Sequence, residues 1–169
     1  DYSVATTRAK GIAGIKGVLW WDILDVVKAK KPSYILLENV DRLLKSPVIQ
    51  RWRDFGVILS CLLNEDYVVE WRVINAADYG FPQKRRRVFI FAAKKGTEWY
   101  ESIIDNAQNS RYFNEKGFFS KEFPISDDGD LALDLGNVPS YNVGKNIQKV
   151  SDEFAYPFNK MGMMTSGKI

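Results

Sequence analysis

The sequence predicts an α/β fold that forms the second half of an open sheet and ends in an irregular tail. Apolar residues alternate between helical and strand-like spacing over residues 18–92. The last two predicted strands are joined by a loop too short for a helical crossover, so they should pair antiparallel. Gly, Asn, Ser and Asp are frequent in residues 110–169. We therefore expect one parallel strand, a terminal antiparallel pair and little regular structure afterwards.

The first half of this pattern predicts a helix, a strand and a second helix. Apolar residues recur at helical spacing from Val18, and Pro32 ends that helix. The continuous apolar run over residues 34–37 is typical of a buried parallel strand. Ser46, followed by a proline, predicts the N-cap of a second helix that runs to about Glu65.

The second half predicts two strands, over residues 68–74 and 88–92, with a loop over residues 75–83 between them. A short helix is predicted over residues 99–106. The order is therefore helix, strand, helix, strand, loop, strand, and then a short helix.

Composition excludes several classes of site. The 169 residues are 46% apolar, which is typical of a globular chain with a core. Lysine and arginine number 24 and aspartate and glutamate 21, and the net charge of +3 permits nucleic acid as a partner without requiring it. The absence of histidine excludes a Ser-His-Asp or Cys-His nucleophile from this chain and argues against zinc. No apolar run approaches the roughly 20 residues of a membrane span.

The single cysteine, Cys61, lies inside the second predicted helix and off its apolar stripe. It cannot form an internal disulfide, and no histidine is present to activate it. We therefore interpret Cys61 as structural rather than nucleophilic.

Glu38-Asn39-Val40 is the first cluster that could carry chemistry, because it ends the apolar strand. Ligands of open α/β sheets bind beyond the carboxyl ends of the strands. We expect Glu38 to be partly desolvated there, which favours a protonated carboxyl able to donate a hydrogen bond to a base. The alternative is that Glu38 caps the next turn or pairs with Arg42.

Gln83-Lys84-Arg85-Arg86-Arg87 is the second cluster, directly before a strand. Strand alternation should place Arg85 and Arg87 on one side and Lys84 and Arg86 on the other. Two guanidinium groups on one side suit a phosphate or a base carbonyl. The alternative is a solvated charge run.

These clusters together resemble the ordered motifs of the DNA (cytosine-5)-methyltransferases. Glu38-Asn39-Val40 matches the Glu-Asn-Val motif, and Gln83-Lys84-Arg85-Arg86-Arg87 matches the Gln-x-Arg-x-Arg motif. Asn75 to Pro82 resembles the segment before Gln-x-Arg-x-Arg. Lys16-Gly17-Val18-Leu19 resembles the Arg-Gly-x-Leu helix start, and Tyr2-Ser3 resembles the aromatic-serine pair after Pro-Cys-Gln.

The sequence also departs from that family. Pro-Cys-Gln, the glycine-rich cofactor motif and the closing C-terminal motif are absent, and Lys16 replaces an arginine. The resemblance therefore implies an internal piece of a Rossmann-like S-adenosylmethionine-dependent methyltransferase sheet. Residues 1–109 would be part of the catalytic domain. Residues 110–169 would be a linker and the start of a target-recognition domain, with its first strand within residues 158–169.

The resemblance implies the chemistry as well. A cysteine thiolate adds to carbon 6 of a flipped-out cytosine in double-stranded DNA, and carbon 5 then takes the methyl group of S-adenosylmethionine. Charge builds at ring nitrogen 3. The implied catalytic residues are Glu38 at that nitrogen, Arg87 at the exocyclic oxygen and Arg85 assisting. Leu19 would contact the cofactor. The expected DNA-side residues are Ser3 near the phosphates and Asn39 and Gln83 holding neighbouring loops.

The expected partners are double-stranded DNA and S-adenosylmethionine, with no metal and no membrane. The resemblance implies a protein of the bacterial or phage cytoplasm, or one otherwise associated with DNA. We expect the isolated chain to be inactive because the attacking cysteine is missing. The rival hypothesis is a non-catalytic nucleic-acid-binding α/β module.

Overall fold

A computed structural model describes residues 18–46, 52–107, 109, 112–124 and 160–165. The predicted order of helices and strands is confirmed, and two 3₁₀ turns are added. The elements are α1 (Val18–Lys30), β1 (Tyr34–Val40), a first 3₁₀ turn (Asp41–Lys45), α2 (Arg53–Asn64), β2 (Tyr67–Asn75), a second 3₁₀ turn (Ala76–Tyr79), β3 (Arg86–Lys94), α3 (Glu98–Asp105), α4 (Tyr112–Glu115) and β4 (Met161–Met164). None of the helices within these ranges is long and apolar enough to cross a membrane.

The four strands form one sheet in the order β1-β3-β2-β4, and every neighbouring pair is antiparallel. The predicted antiparallel pair, β2 with β3, is confirmed. Since β1 and β2 are each antiparallel to β3, they run parallel to one another with β3 between them. The carboxyl ends of β1 and β2 therefore lie at the same end of the sheet.

The prediction of a buried parallel strand at residues 34–37 is wrong in two respects. β1 pairs antiparallel, with β3, and β3 is its only partner among the described residues. Tyr34 and Leu36 are 47% and 58% exposed. The physical reason is that β1 is an edge strand within the described chain, and its face bearing Tyr34, Leu36 and Glu38 is left largely open.

Both faces of the central strands are buried, which explains the uninterrupted apolar run in β3. On one face Ile90 and Ala92 pack with α1 and α2 in a core that includes Leu24, Leu59 and Trp71. On the opposite face a smaller cluster covers the sheet. Its members are Val68, Ile74, Phe91, Ala93, Ile103, Tyr112, Phe119 and Met163.

The start of α2 differs from the prediction. Its N-cap is Trp52, which has a left-handed φ of 74°, and not Ser46. Ser46 directly follows the first 3₁₀ turn, and its hydroxyl donates to Asp54 Oδ2 at 2.9 Å. Ser46 thus ties the turn to the first turn of α2 without capping the helix.

Cys61 is 1% exposed on α2, as a structural cysteine should be. Burial raises the pKa of its thiol to about 12, against an ordinary value of 9.0. The thiol is therefore protonated at neutral pH and unsuited to nucleophilic attack.

A strand within residues 158–169 is confirmed at Met161–Met164, but it does not open a separate sheet. β4 pairs antiparallel with β2, Val69 opposite Met164 and Arg72 opposite Met161. Gly162 makes this possible, because a Cβ there would overlap the indole of Trp71. The strand belongs to the same sheet because this glycine lets it approach β2 closely.

Candidate active site

The two sequence clusters meet at one end of the sheet. β1 ends where β3 begins, because the two strands are antiparallel and Val40 lies opposite Arg87. Glu38 lies opposite Phe89, two positions along from Arg87. Side chains two residues apart on a strand share a face, so Glu38 and Arg87 are diagonal neighbours on the same face.

Two arginines contact the Glu38 carboxylate. Arg87 Nε lies 2.7 Å from Glu38 Oε1, and Arg85 Nη2 lies 3.9 Å from the same oxygen. Arg86 pairs with Asp41 instead, Nε to Oδ2 at 3.3 Å. The predicted separation of Arg85 and Arg87 from Arg86 is therefore confirmed. Glu38 pairs across the sheet and not with Arg42, the partner that the alternative named.

Glu38 is only partly covered by the described residues. Its side chain is 46% exposed, and those of Arg85 and Arg87 are 50% and 24% exposed. The cause is the open edge position of β1, which leaves this face accessible. Both ion pairs use Oε1, so Oε2 belongs to neither. The cluster thus presents one carboxylate oxygen and two guanidinium groups to an approaching ligand.

Asn39 lies on the same strand but on the opposite face from Glu38. Its Oδ1 accepts a hydrogen bond from the Val40 backbone N–H at 2.8 Å. This local bond supports the bend from β1 into the first 3₁₀ turn. Asn39 therefore shapes the backbone next to Glu38 and does not join the ion-pair cluster.

The loop between β2 and β3 presents the basic block. Ala76 N–H donates to Arg85 O at 3.0 Å and Phe81 N–H donates to Ala76 O at 3.2 Å. Gly80, with a φ of 85°, ends the second 3₁₀ turn in a conformation that favours glycine. Gln83 follows as an exposed residue beside the arginines. The sequence predicted this loop but not the 3₁₀ turn within it.

Leu19, the predicted cofactor contact, is 65% exposed near the start of α1. Only residues 31–33 connect α1 to β1, and α1 packs on the sheet, so the helix and the strand run in opposite directions. The start of α1 therefore lies toward the end of the sheet that carries Glu38. Ser3, Lys16 and Gly17 lie outside the described residues.

Glu70 and Arg72 on β2 are charged residues whose role was not predicted. They are 0% and 2% exposed. The alternation of residues 68–74 predicted a strand, but it did not predict that its charged face would be buried. Burial is the main cause that raises the pKa of Glu70 above its ordinary range, opposed by the Phe118 N–H and the charge of Arg72. The only available signal was two charges at alternate positions of an otherwise apolar strand. Within the described ranges no cluster of three potential metal ligands is present.

Comparison with known proteins agrees with these motifs. Residues 1–166 match the family described as C-5 cytosine-specific DNA methylase. The Type II methyltransferase M.Sau3AI of Staphylococcus aureus is 44% identical over 171 residues, which cover 100% of this chain and 40% of that protein. Type II methyltransferases M.NlaIV of Neisseria lactamica and M.HaeII of Haemophilus aegyptius are 38% and 41% identical, over 50% and 49% of this chain and 21% and 25% of their own lengths.

The chain thus spans about 40% of the length of the relative that it matches throughout. The two shorter matches each cover about half of this chain. A family match over residues 1–166 leaves only the last three residues outside it. This chain belongs to the C-5 cytosine-specific DNA methylase family.

Proposed function

We propose that the protein containing this chain transfers a methyl group from S-adenosylmethionine to carbon 5 of a cytosine flipped out of duplex DNA. The observation that carries the proposal is the contact of Glu38 with Arg87 and Arg85 at one end of the sheet, in a chain of this family. A base held there meets one negatively charged carboxylate and two positively charged guanidinium groups, all of which can form hydrogen bonds. Flipping is required because carbon 5 and carbon 6 cannot be reached inside the stack.

In this proposal the three charged side chains bind the pyrimidine edge. Arg87 donates to the exocyclic oxygen, and Arg85 reinforces it. Glu38, protonated when the base is bound, donates a hydrogen bond from Oε2, which is outside both ion pairs, to ring nitrogen 3 as charge builds on the ring. The arginines hold Oε1, so the carboxylate is oriented before the base arrives. Such preorganisation is the main means by which an enzyme stabilises developing charge.

The attacking thiol must come from outside these 169 residues in this proposal. Cys61 is the only cysteine in the sequence, and it is buried with a pKa of about 12. A thiolate at carbon 6 forms a carbon–sulfur bond and turns carbon 5 into the nucleophile. After carbon 5 has taken the methyl group, a base removes the carbon 5 proton, the carbon 5–carbon 6 double bond re-forms, and the carbon–sulfur bond breaks to release the thiolate.

S-adenosylmethionine supplies an electrophilic methyl group when bound. Leu19 fits one side of a site for it, since it offers exposed apolar surface toward the same end of the sheet as Glu38. Leu19 is the one cofactor contact that we propose among the described residues. We propose that Ser3, Asn39 and Gln83 act on the DNA side, Asn39 and Gln83 through the loops that they hold.

We further propose that the sheet extends beyond the open edge of β1 and is Rossmann-like when complete. β1 and β2 run parallel on either side of the antiparallel β3. The exposed Tyr34 and Leu36 line an open groove of about 330 Å³ together with Phe91, Trp99 and Phe118. An edge strand with this much exposed apolar surface is unusual in a finished domain, so further strands and a covering helix would complete it. We also propose the division into residues 1–109 and 110–169, in which β4 returns from the second part to the sheet of the first.

Methylation by the full-length protein tests the proposed function. The protein is incubated with duplex DNA and S-adenosylmethionine labelled in the methyl group, and the DNA is then digested to nucleosides. We expect the label in 5-methylcytosine. Label on another base, or tight DNA binding without any transfer, would contradict the proposal, and the second outcome would favour the non-catalytic nucleic-acid-binding module.

A further inference from the structure

Glu70 and Arg72 form a second carboxylate–guanidinium pair, on β2, for which the proposed chemistry has no use. Arg72 Nη2 lies 3.8 Å from Glu70 Oε1, and both side chains are buried. Arg72 also lies over the ring of Phe119, 5.8 Å from its centroid. Buried charges need partners, so what these two contact shows what the pair holds.

The main partner of the pair is the backbone of residues 117–124, called here the arm. Glu70 accepts N–H hydrogen bonds from Phe118 at 2.7 Å and from Phe119 at 3.5 Å. Arg72 donates to the carbonyl of Phe123. The arm is therefore held at both of its ends by two residues of one strand.

Tyr79 and Gly117 complete this attachment. The Tyr79 hydroxyl donates to Pro124 O at 3.3 Å, and its ring packs edge-on against Phe123. A Cβ at Gly117 would lie 2.8 Å from Glu70 Oε1, so the arm approaches the carboxylate more closely than an alanine permits. The arm can follow this path past Glu70 because residue 117 is a glycine.

The chain returns to the same part of β2 after residue 159. Glu70 lies opposite Met163 and Arg72 opposite Met161 in the β2–β4 ladder, and Val73 N–H donates to Lys160 O at 2.6 Å. Phe123, one residue before the last described residue ahead of residues 125–159, and Lys160, the first described residue after them, are thus both bound to β2. β2 ends at Asn75, which is opposite Arg86, so these attachments lead to the end of the sheet that carries Glu38 and Arg87.

We propose that Glu70 and Arg72 are positioning residues that, through the arm, fix where the chain enters residues 125–159 relative to the Glu38–Arg87 site, and that they thereby set how the enzyme holds DNA. This inference rests on the proposed function and adds to it. The pair touches neither base nor cofactor. Its effect passes through the arm, whose displacement would move the attached residues relative to the arginines.

Three variants of the full-length protein test the inference: Glu70→Gln, Gly117→Ala and Tyr79→Phe. Glu70→Gln weakens the acceptor for two arm amides. Gly117→Ala places a Cβ against the Glu70 carboxylate and so disturbs the contact from the side of the arm, with Glu70 and Arg72 both kept. Tyr79→Phe removes one hydrogen bond and is mild enough to keep the fold. In each variant the KM for DNA should rise while the single-turnover rate constant changes little. The largest rise, about tenfold, is expected for Gly117→Ala, which corresponds to about 1.4 kcal/mol of lost binding.

A second readout distinguishes this inference from failure of the proposed function. Amide hydrogen exchange at Phe118 and Phe119 needs no activity, and it should accelerate in Glu70→Gln and Gly117→Ala. If the wild-type protein transferred no methyl group but exchange accelerated, the arm attachment would stand and the proposed function would fall. Unchanged exchange in both variants would overturn the attachment itself.

Asp54→Asn provides the matched control. Asp54 and Arg53 form an equally buried ion pair, 2.8 Å apart on α2, which packs against the other face of the sheet. We expect this variant to lose stability while its KM for DNA stays near that of the wild type. If Asp54→Asn raised the KM for DNA as much as Gly117→Ala and Tyr79→Phe do, the effect would be a general consequence of weakened folding and the positioning role would be wrong.

Discussion

The Glu38–Arg87 and Glu70–Arg72 pairs contain the same two residue types in opposite surroundings. The first is 2.7 Å long, and its carboxylate side chain is 46% exposed at the end of β1. The second is 3.8 Å long and fully buried in the middle of β2. The shorter ion pair is thus the more exposed one, and the longer ion pair is the buried one.

This difference separates a group that waits for a ligand from a group that already has its partners. Among the described residues, Glu38 is bound by side chains of β3 and the loop before it, and it is 46% exposed. Glu70 is bound by backbone amides as well as Arg72, so its environment is complete without a ligand. Four variants and conditions test this distinction, in order of decreasing effect.

The largest effect is expected when the 169-residue chain is assayed without the rest of the protein. The 169-residue chain by itself should transfer no methyl group, because its only thiol, Cys61, is buried and protonated. Full-length protein provides the positive control in the same assay. Methylation of DNA by the purified chain above a no-enzyme background would show that Cys61 or another residue performs the attack.

The next effect is on stability. Glu70→Gln removes the carboxylate that pairs with the buried Arg72, and breaking a buried ion pair typically costs about 3–5 kcal/mol. Glu38→Gln removes an ion pair whose carboxylate is nearly half exposed, and such pairs contribute only about 0–1 kcal/mol. Urea unfolding of both variants measures the difference. Equal losses would mean that the two pairs do not differ as their burial indicates.

A smaller effect is on the pH dependence of stability. Burial raises the pKa of Glu70 in the folded state above its ordinary 4.5, so between these values the folded protein binds more protons than the unfolded one. The unfolding free energy contributed by Glu70 therefore rises as the pH falls through the folded-state pKa. Wild type should gain stability on mild acidification relative to Glu70→Gln. Parallel pH profiles for the two proteins would contradict this.

The smallest effect is expected at Cys61. With a pKa of about 12 and almost no exposure, its thiol should resist a thiol-specific reagent at pH 8 and react fully in denaturant. Cys61→Ala in the full-length protein should leave the rate of methyl transfer unchanged. A folded Cys61→Ala variant without activity would make Cys61 a nucleophile and overturn the structural interpretation.

The sequence predicted the features that depend on local spacing. The apolar periodicity predicted α1, α2 and the strands, and the alternation before β3 predicted that Arg85 and Arg87 share a side. Neither depends on distant parts of the chain. The motif spacing also indicated that Glu38 would come near them, although the partner within the sheet was identified only by the β1–β3 register.

Features that depend on what covers a strand were not predictable in this way. Alternation shows that Glu70 and Arg72 share a face, but it does not show that the arm, whose contacts lie 48 to 51 residues later, buries that face. In the same way, the apolar run of β1 predicted burial, although Leu36 is exposed. Periodicity assigns side chains to faces, whereas burial depends on contacts between distant segments.

Single-turnover methyl transfer beside a DNA-binding titration tests the central claim, that Glu38 and Arg87 hold the target base. The full-length protein carries Glu38→Gln, which keeps the shape of the side chain but has no acidic proton, or Arg87→Ala. Losing one preorganised partner typically costs about 2.7–4 kcal/mol, or roughly 100- to 1,000-fold in rate. DNA affinity should change little, because most of it comes from phosphate contacts elsewhere. Near-normal rates in both variants, or equal losses of rate and DNA binding, would contradict the account.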